Sequence, residues 1–131
     1  MKTVLFACVH NAGRSQMAAA LFNKLADPRK AKAISAGTHP AGHVHPYVIK
    51  VMSEAGLDLS KERPKKITKE LMLTADFLVT MGCGEHCPHV SNLEHREWEI
   101  SDTYESSVEK AREIRDEIRS QVEAFIKEKN F

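Results

Sequence analysis

The sequence predicts one α/β domain spanning residues 1–131, a three-layer sandwich with a four-stranded parallel sheet flanked by helices. Short apolar runs rich in β-formers alternate along the chain with segments of helical period, the signature of a parallel sheet covered on both faces. The chain has 131 residues, close to the commonest domain size. Its hydrophobic fraction of 42% and charged fraction of 28% suit a globular protein and exclude a disordered one.

The first strand is Val4-Leu5-Phe6-Ala7, a run suited to a buried position. His10-Asn11-Ala12-Gly13 is a turn. From Ser15 the period becomes helical through Met17, Ala18, Leu21, Phe22 and Leu25, ending near Asp27-Pro28. Lys32 to Ala36 is a second strand closed by Gly37, and Gly42 to Pro46 a loop. Val48, Val51, Met52 and Ala55 form one face of a helix stopped by Gly56. A connection from Leu57 to Pro64 leads to a short helix, Thr68 to Leu73, with Thr68 as its cap. Phe77 to Met81 is a third strand. Gly82 to Ser91 is a loop with two cysteines, and Trp98 to Ile100 a short fourth strand. From about Glu105 to Lys129 an amphipathic helix carries Val108, Ala111, Ile114, Ile118, Val122 and Phe125.

Charge and composition restrict the partners. Lys plus Arg is 19 against 18 for Asp plus Glu, a net charge of +1. So even a balance gives no global attraction to nucleic acid or anionic membrane, and any anion site must be local. No run approaches the roughly 18 apolar residues of a membrane span. The apolar stretch Val4 to Cys8 is shorter than the roughly 7–15 residues of a secretory core. A cytoplasmic location is expected. Three cysteines, an odd number, then favour reactive thiols over structural bridges.

Parallel sheets bind ligands at the carboxyl ends of their strands. Cys8 leaves the first strand there and Cys83 the third, so the two loops are expected on one edge. Cys8-Val9-His10-Asn11-Ala12-Gly13-Arg14-Ser15 is a Cys-x5-Arg-Ser pattern between strand and helix. Five intervening residues wrap the backbone once around a tetrahedral oxyanion. The amides of Val9 to Arg14 and the helix N-terminus donate to its oxygens, and Arg14 adds a bidentate clamp. The same positive field stabilises the thiolate of Cys8. Ser15 can hydrogen-bond the sulfur, and Gly13 permits close approach or a positive φ. The rival reading is a buried core cysteine beside a solvated Arg14. The pattern does not choose between phosphate and arsenate.

Cys83 and Cys87 lie four residues apart in the glycine-flanked segment Thr80 to Pro88. They can bridge if the loop brings their Cα atoms within roughly 7 Å. A metal site with His86 and His89 is an alternative, as are two unrelated thiols. The spacing matches no common zinc pattern, so no metal is expected. Asp102 follows the fourth strand on the same edge. A carboxyl there could protonate a leaving hydroxide or alkoxide, kept protonated by a nearby anion and thiolate. The alternative is an N-cap for the last helix. His10 can add positive field to the loop. The other histidines and Lys65-Lys66 read as surface.

Together, Cys8-x5-Arg14-Ser15, Ser35-Ala36-Gly37, Thr80 to Pro88 and Trp98 to Asp102 resemble the arsenate reductases built on the low-molecular-weight tyrosine phosphatase fold. The three-cysteine, thioredoxin-coupled class is the most similar. The resemblance covers essentially the whole chain, most specifically Arg14-Ser15-Gln16-Met17-Ala18 and the cysteine pair. It implies that Cys8 attacks arsenate while Arg14 and the loop hold the oxyanion. Ser15 stabilises the thiolate, Asn11 shapes the loop and Asp102 is the general acid. Cys83 then attacks the Cys8 adduct, and Cys87 resolves the Cys8–Cys83 disulfide. The resulting Cys83–Cys87 disulfide goes to thioredoxin, with glutaredoxin or a low-molecular-weight thiol as alternative donors. No bound cofactor is expected. Here Thr103 follows Asp102 where the family usually has Pro. Some members hold potassium with a Glu that aligns with Ala19, and a further carboxylate aligns with Lys65, so Lys65 is expected to supply that positive charge. Two other functions compete: a low-molecular-weight protein tyrosine phosphatase using Cys8, Arg14 and Asp102, and a non-enzymatic oxyanion- or metal-binding redox sensor.

Overall fold

Apolar side chains in the strands alternate between two cores, and this alternation fixes the layers. A computed structural model describes residues 1–82, 93–101 and 107–131. Its elements are β1 (Lys2–Cys8), α1 (Arg14–Leu25), β2 (Ala31–Gly37), α2 (Pro46–Glu54), α3 (Lys69–Leu73), β3 (Phe77–Thr80), β4 (Glu94–Glu97) and α4 (Val108–Lys129). Val4, Phe6 and Cys8 of β1 join a large core with Met17, Leu21 and Phe22 of α1, Val48, Val51 and Met52 of α2, and the stripe Ala111, Ile114, Ile118, Val122 and Phe125 of α4. The alternate residues Leu5 and Ala7 join Ala36, Ile67, Met72 and Leu78 in a smaller core on the opposite face. Both faces of β1 are therefore covered, as its uninterrupted apolar run requires.

The four strands are parallel, in the order β2-β1-β3-β4. The chain steps from β1 outward to β2, then returns across β1 to β3. The strand order thus reverses between β1 and β3, and the crevice beyond their carboxyl ends is where such sheets take ligands.

Most element boundaries shift by a residue or two, and those of the fourth strand and the last helix differ further from the expectation. The fourth strand is Glu94–Glu97, not Trp98 to Ile100. Glu94-His95-Arg96-Glu97 has no apolar period because β4 is an edge strand, held by its backbone ladder to β3 and by polar side chains. The His95 ring lies 3.0 Å from Thr80 Oγ1, and Arg96 stacks over Phe125 at 5.1 Å while pairing with Glu94 and Glu128. Trp98 extends the ladder by one bond, its N–H donating to Thr80 O at 2.9 Å. Trp98 and Ile100 are buried beyond the strand rather than in it. The last helix begins at Val108, and its N-cap is Ser107, whose Oγ accepts from Lys110 N at 3.1 Å. The capping role considered for Asp102 is therefore filled by Ser107. Thr68 caps α3 as expected, accepting from Leu71 N at 3.0 Å. No helix among the described residues is long and apolar enough to cross a membrane.

Candidate active site

The segment from Cys8 to Gly13 joins β1 to α1 at the switch point, and hydrogen bonding fixes which way its peptides face. Six consecutive carbonyls accept from groups around the loop. Cys8 O takes Thr38 N at 3.2 Å, Val9 O takes His39 N at 2.8 Å, and His10 O takes Ala41 N at 3.0 Å. Asn11 O takes Gln16 Nε2 at 3.2 Å. Ala12 O takes His45 N at 2.9 Å, and Gly13 O takes Met17 N at 3.0 Å. A trans peptide directs its N–H opposite to its carbonyl. With the carbonyls turned outward, the N–H groups of Val9 to Arg14 face the inside of the loop, which becomes a nest for an anion. Asn11 N demonstrates the direction, donating to Cys8 Sγ at 3.3 Å.

Below the nest, α1 begins at Arg14 without an acidic residue in its first turn and without a side-chain cap among the described residues. Its dipole therefore adds positive field where the loop closes. Arg14 is 5% exposed, and its Nη1 donates to Ile100 O at 3.2 Å. Gly82 at the end of β3 makes room for it. A Cβ there would collide with Arg14 Nη1, and Gly82 has φ +83°, a conformation L side chains rarely adopt. Beside this clamp a cleft of about 410 Å³ is lined by Gly82, Glu97, Trp98, Glu99, Ile100 and Ser101.

The polar side chains of the loop form one chain of hydrogen bonds. Asn11 has φ 51°, and its Nδ2 donates to Ser15 Oγ at 2.6 Å. Ser15 Oγ lies 2.9 Å from Cys8 Sγ. The hydroxyl oxygen accepts from Asn11, and when Cys8 is a thiolate, which can only accept, the Ser15 proton is directed at the sulfur. Asn11 Oδ1 accepts from Gln16 Nε2 at 3.1 Å and from Lys65 N at 2.9 Å. Asn11 and Ser15 are fully buried, and Cys8 is 2% exposed. The segment carrying Lys65 pairs with the end of β2 through a bridge between Gly37 and Lys66. A Cβ on Gly37 would meet Val9 O at 2.6 Å and Asn11 N at 2.9 Å, so only glycine lets β2 end against the loop.

Of the two roles open to Gly13, close approach or a positive φ, the positive φ falls instead on Asn11. Gly13 has φ −145°, and the left-handed turn is made by a residue whose side chain then reaches Ser15. His10 is half-buried, with Nδ1 3.1 Å from His39 O. Since a carbonyl only accepts, that nitrogen carries the hydrogen. Cys8, Val9, His10, Asn11, Ala12, Gly13, Arg14 and Ser15 thus come together around one nest. Cys83, Cys87 and Asp102 lie outside the described residues, as do His86 and His89. Among the described residues no group of three His, Cys, Asp or Glu side chains could hold a metal ion. The sequence places Gln16 in the most specific stretch of the resemblance without a role of its own, and does not point to the Lys65 amide or the Ile100 carbonyl. Gln16 had a signal, a carboxamide on the first turn of an otherwise apolar helical stripe; the two backbone groups had none.

The fold and the nest define a class. Residues 3–130 match the family described as low molecular weight phosphotyrosine protein phosphatase. The chain belongs to that family. Within it, similar proteins include a putative arsenate reductase of Halobacterium salinarum, 37% identical over 89% of this chain and 85% of that protein. Arsenate reductase 1 of Staphylococcus epidermidis is 34% identical, over 95% of each chain. The solved thioredoxin-dependent arsenate reductase of Corynebacterium glutamicum superposes with a TM-score of 0.82 and 36% identity. This chain is covered to 98% in that comparison and spans 60% of the longer Corynebacterium chain.

Proposed function

We propose that the chain reduces arsenate to arsenite, with Cys8 as nucleophile and a dithiol protein of the thioredoxin type as reductant. The observation that carries the reading is the donor chain ending on Cys8 Sγ inside a nest of inward amides. It favours an anionic sulfur and a bound tetrahedral oxyanion in the same place. Family relatives named as arsenate reductases, together with the pair Cys83 and Cys87, favour arsenate over a phosphoester.

In this mechanism the nest and Arg14 hold arsenate with its arsenic against Cys8 Sγ. The thiolate displaces one oxygen, which leaves as water after protonation by Asp102, and a sulfur–arsenic(V) bond forms. Cys83 as thiolate attacks the Cys8 sulfur. The sulfur–arsenic bond breaks with its electron pair going to arsenic, which departs as arsenite. Two thiols have then become the Cys8–Cys83 disulfide, balancing the two electrons gained by arsenic. Cys87 attacks Cys83, releases Cys8 as thiolate and leaves a Cys83–Cys87 disulfide, which the external dithiol reduces. The hydroxyl of Ser15 stabilises Cys8 both as nucleophile and as leaving group.

The test runs arsenate reduction with thioredoxin, thioredoxin reductase and NADPH beside para-nitrophenyl phosphate hydrolysis. Wild type should oxidise NADPH in the presence of arsenate, and Cys8→Ser should abolish both activities. Cys83→Ser and Cys87→Ser should abolish arsenate turnover while leaving hydrolysis measurable. Hydrolysis without any arsenate-dependent NADPH oxidation by wild type would assign the chain to phosphoester chemistry instead.

A further inference from the structure

We propose that Gln16 is a positioning residue that fixes the polarity of the Asn11 carboxamide, and through it the delivery of the Ser15 proton to Cys8 Sγ. The inference rests on the reading of Cys8 as the reactive thiolate. It adds a residue that never touches substrate.

The argument is one of donor and acceptor identity. The Gln16 Nε2 group lies 3.2 Å from Asn11 O and 3.4 Å from Arg63 O, two carbonyls that can only accept. The amino end of Gln16, not its oxygen, must therefore face them. The same group reaches Asn11 Oδ1 at 3.1 Å, and Lys65 N, a donor only, reaches that oxygen at 2.9 Å. Lys65 N requires Oδ1 at that end, and the two hydrogens of Gln16 Nε2, shared among Asn11 O, Arg63 O and Oδ1, reinforce it, so the Asn11 amino group faces Ser15 Oγ. Were the carboxamide reversed, its oxygen would face Ser15 and capture the hydroxyl proton. The sulfur, 2.9 Å from Ser15 Oγ, would lose its donor. Gln16 is 5% exposed and Asn11 fully buried, so water cannot readily replace either bond.

Glutamate at position 16 inverts this chemistry with little change in shape. Its carboxylate would stand against Asn11 O, Arg63 O and Asn11 Oδ1 with no hydrogen to give. The Asn11 amino group is then drawn toward residue 16 and away from Ser15. Methionine removes the donor without adding an acceptor, and Lys65 N still holds Oδ1. The titratable and charged groups contributed by the described segments packed around the loop and Gln16 include His10 and Arg14, His39 and His45 of the following connection, Glu62, Arg63, Lys65 and Lys66 of the segment beside β2, and Glu99 beside Ile100. All are common to wild type and variants; Gln16→Glu adds one carboxylate to them and Gln16→Met adds no charge.

The experiment measures carboxamidomethylation of Cys8 by iodoacetamide from pH 5 to pH 9, followed on the Cys8 peptide by mass spectrometry, for Gln16→Glu and Gln16→Met. Gln16→Glu should move the alkylation profile upward by about one pH unit, a thiolate population about tenfold smaller below the midpoint. Gln16→Met should move it less. In a Ser15→Ala background the Gln16→Met shift should vanish, because the relay is already cut, and the Gln16→Glu shift should shrink to the Coulombic effect of the added carboxylate; a purely structural role would leave the Gln16→Met effect in place. Should Gln16→Glu fail to fold, the Gln16→Met shift and its loss with Ser15→Ala decide. Coincident profiles for folded variants and wild type would overturn the assignment. Alkylation involves no arsenate, so a shifted profile in a protein that reduces none would leave Gln16 in place and remove the functional reading. Arsenate reduction with unshifted profiles would do the reverse.

Discussion

Asn11 combines two demands that rarely coincide. Its backbone is left-handed, at φ 51°, and its side chain bridges Gln16 and Lys65 to Ser15. Glycine would satisfy the first demand and lose the second, whereas alanine would fail both. Asn11→Gly should therefore unfold at a higher temperature than Asn11→Ala, while both slow Cys8 alkylation to a similar degree. Differential scanning calorimetry and alkylation at pH 7 separate the two contributions. A similar separation applies to Gly82, whose φ is +83° and whose missing side chain admits the Arg14 guanidinium. Gly82→Ala should displace that guanidinium from Ile100 O. Removing one charge-assisted contact of about 1.5–3 kcal/mol weakens inorganic phosphate binding by about tenfold or more. Isothermal titration of phosphate measures it, and unchanged affinity in a folded variant would show that Arg14 finds another path. Neither Asn11's conformation nor Gly82's contact is written in a local pattern. The Cys8-x5-Arg14 spacing announces a loop around an anion, but which of its residues turns left-handed depends on partners supplied by residues 16 and 65.

At the scale of elements, legibility follows burial. β1, β3 and α1 were readable because both faces of the strands and one face of the helix meet apolar neighbours, which forces apolar residues at fixed periods. β4 was not. An edge strand needs only its backbone to pair, and the Glu94 and Arg96 side chains bond outward to α4, with Lys129 Nζ 3.0 Å from Glu94 and Arg96 paired to Glu128, while His95 turns to Thr80. The start of α4 is set by a cap rather than by its stripe. Ser107→Ala removes the acceptor for Lys110 N and should cost about 1 kcal/mol, a fall in Tm of roughly 3 °C for a domain of this size. The other end of α4 closes on Asn130, left-handed at φ 60°, with its N–H 3.4 Å from Lys127 O. Glycine adopts that conformation without the Cβ penalty.

For the molecule as a whole, the parallel sheet was foreseeable from strand–helix alternation, whereas the order β2-β1-β3-β4, which reverses beside β1, is set by tertiary packing that alternation does not encode. What alternation cannot reveal is how the helices on the larger face hold one another, since exposed charges pair by tertiary accident. Glu54 at the end of α2 receives Arg112 Nη2 at 2.7 Å and Arg115 Nη1 at 3.2 Å, and Arg115 Nη1 also donates to Val51 O at 2.8 Å. Two guanidinium groups from α4 thus clasp the last turn of α2. The hydrogen bond from Arg112 is the main cause that holds the Glu54 carboxyl down at about 2, below its ordinary 4.5, with Arg115 adding to it. A carboxyl lowered on folding binds its proton more readily in the unfolded chain. Its contribution to stability is therefore complete above about 4.5 and declines as pH falls through the folded value near 2. The clasp is solvent-accessible, so salt screens it and its magnitude is modest. Thermal unfolding of wild type and Glu54→Gln should accordingly diverge at pH 7 in low salt, with the variant melting first, and the two curves should converge as pH approaches 2 or as salt rises toward 1 M. A gap that stayed constant from pH 7 to pH 2 would mean that the glutamate acts through packing against α4 rather than through its charge.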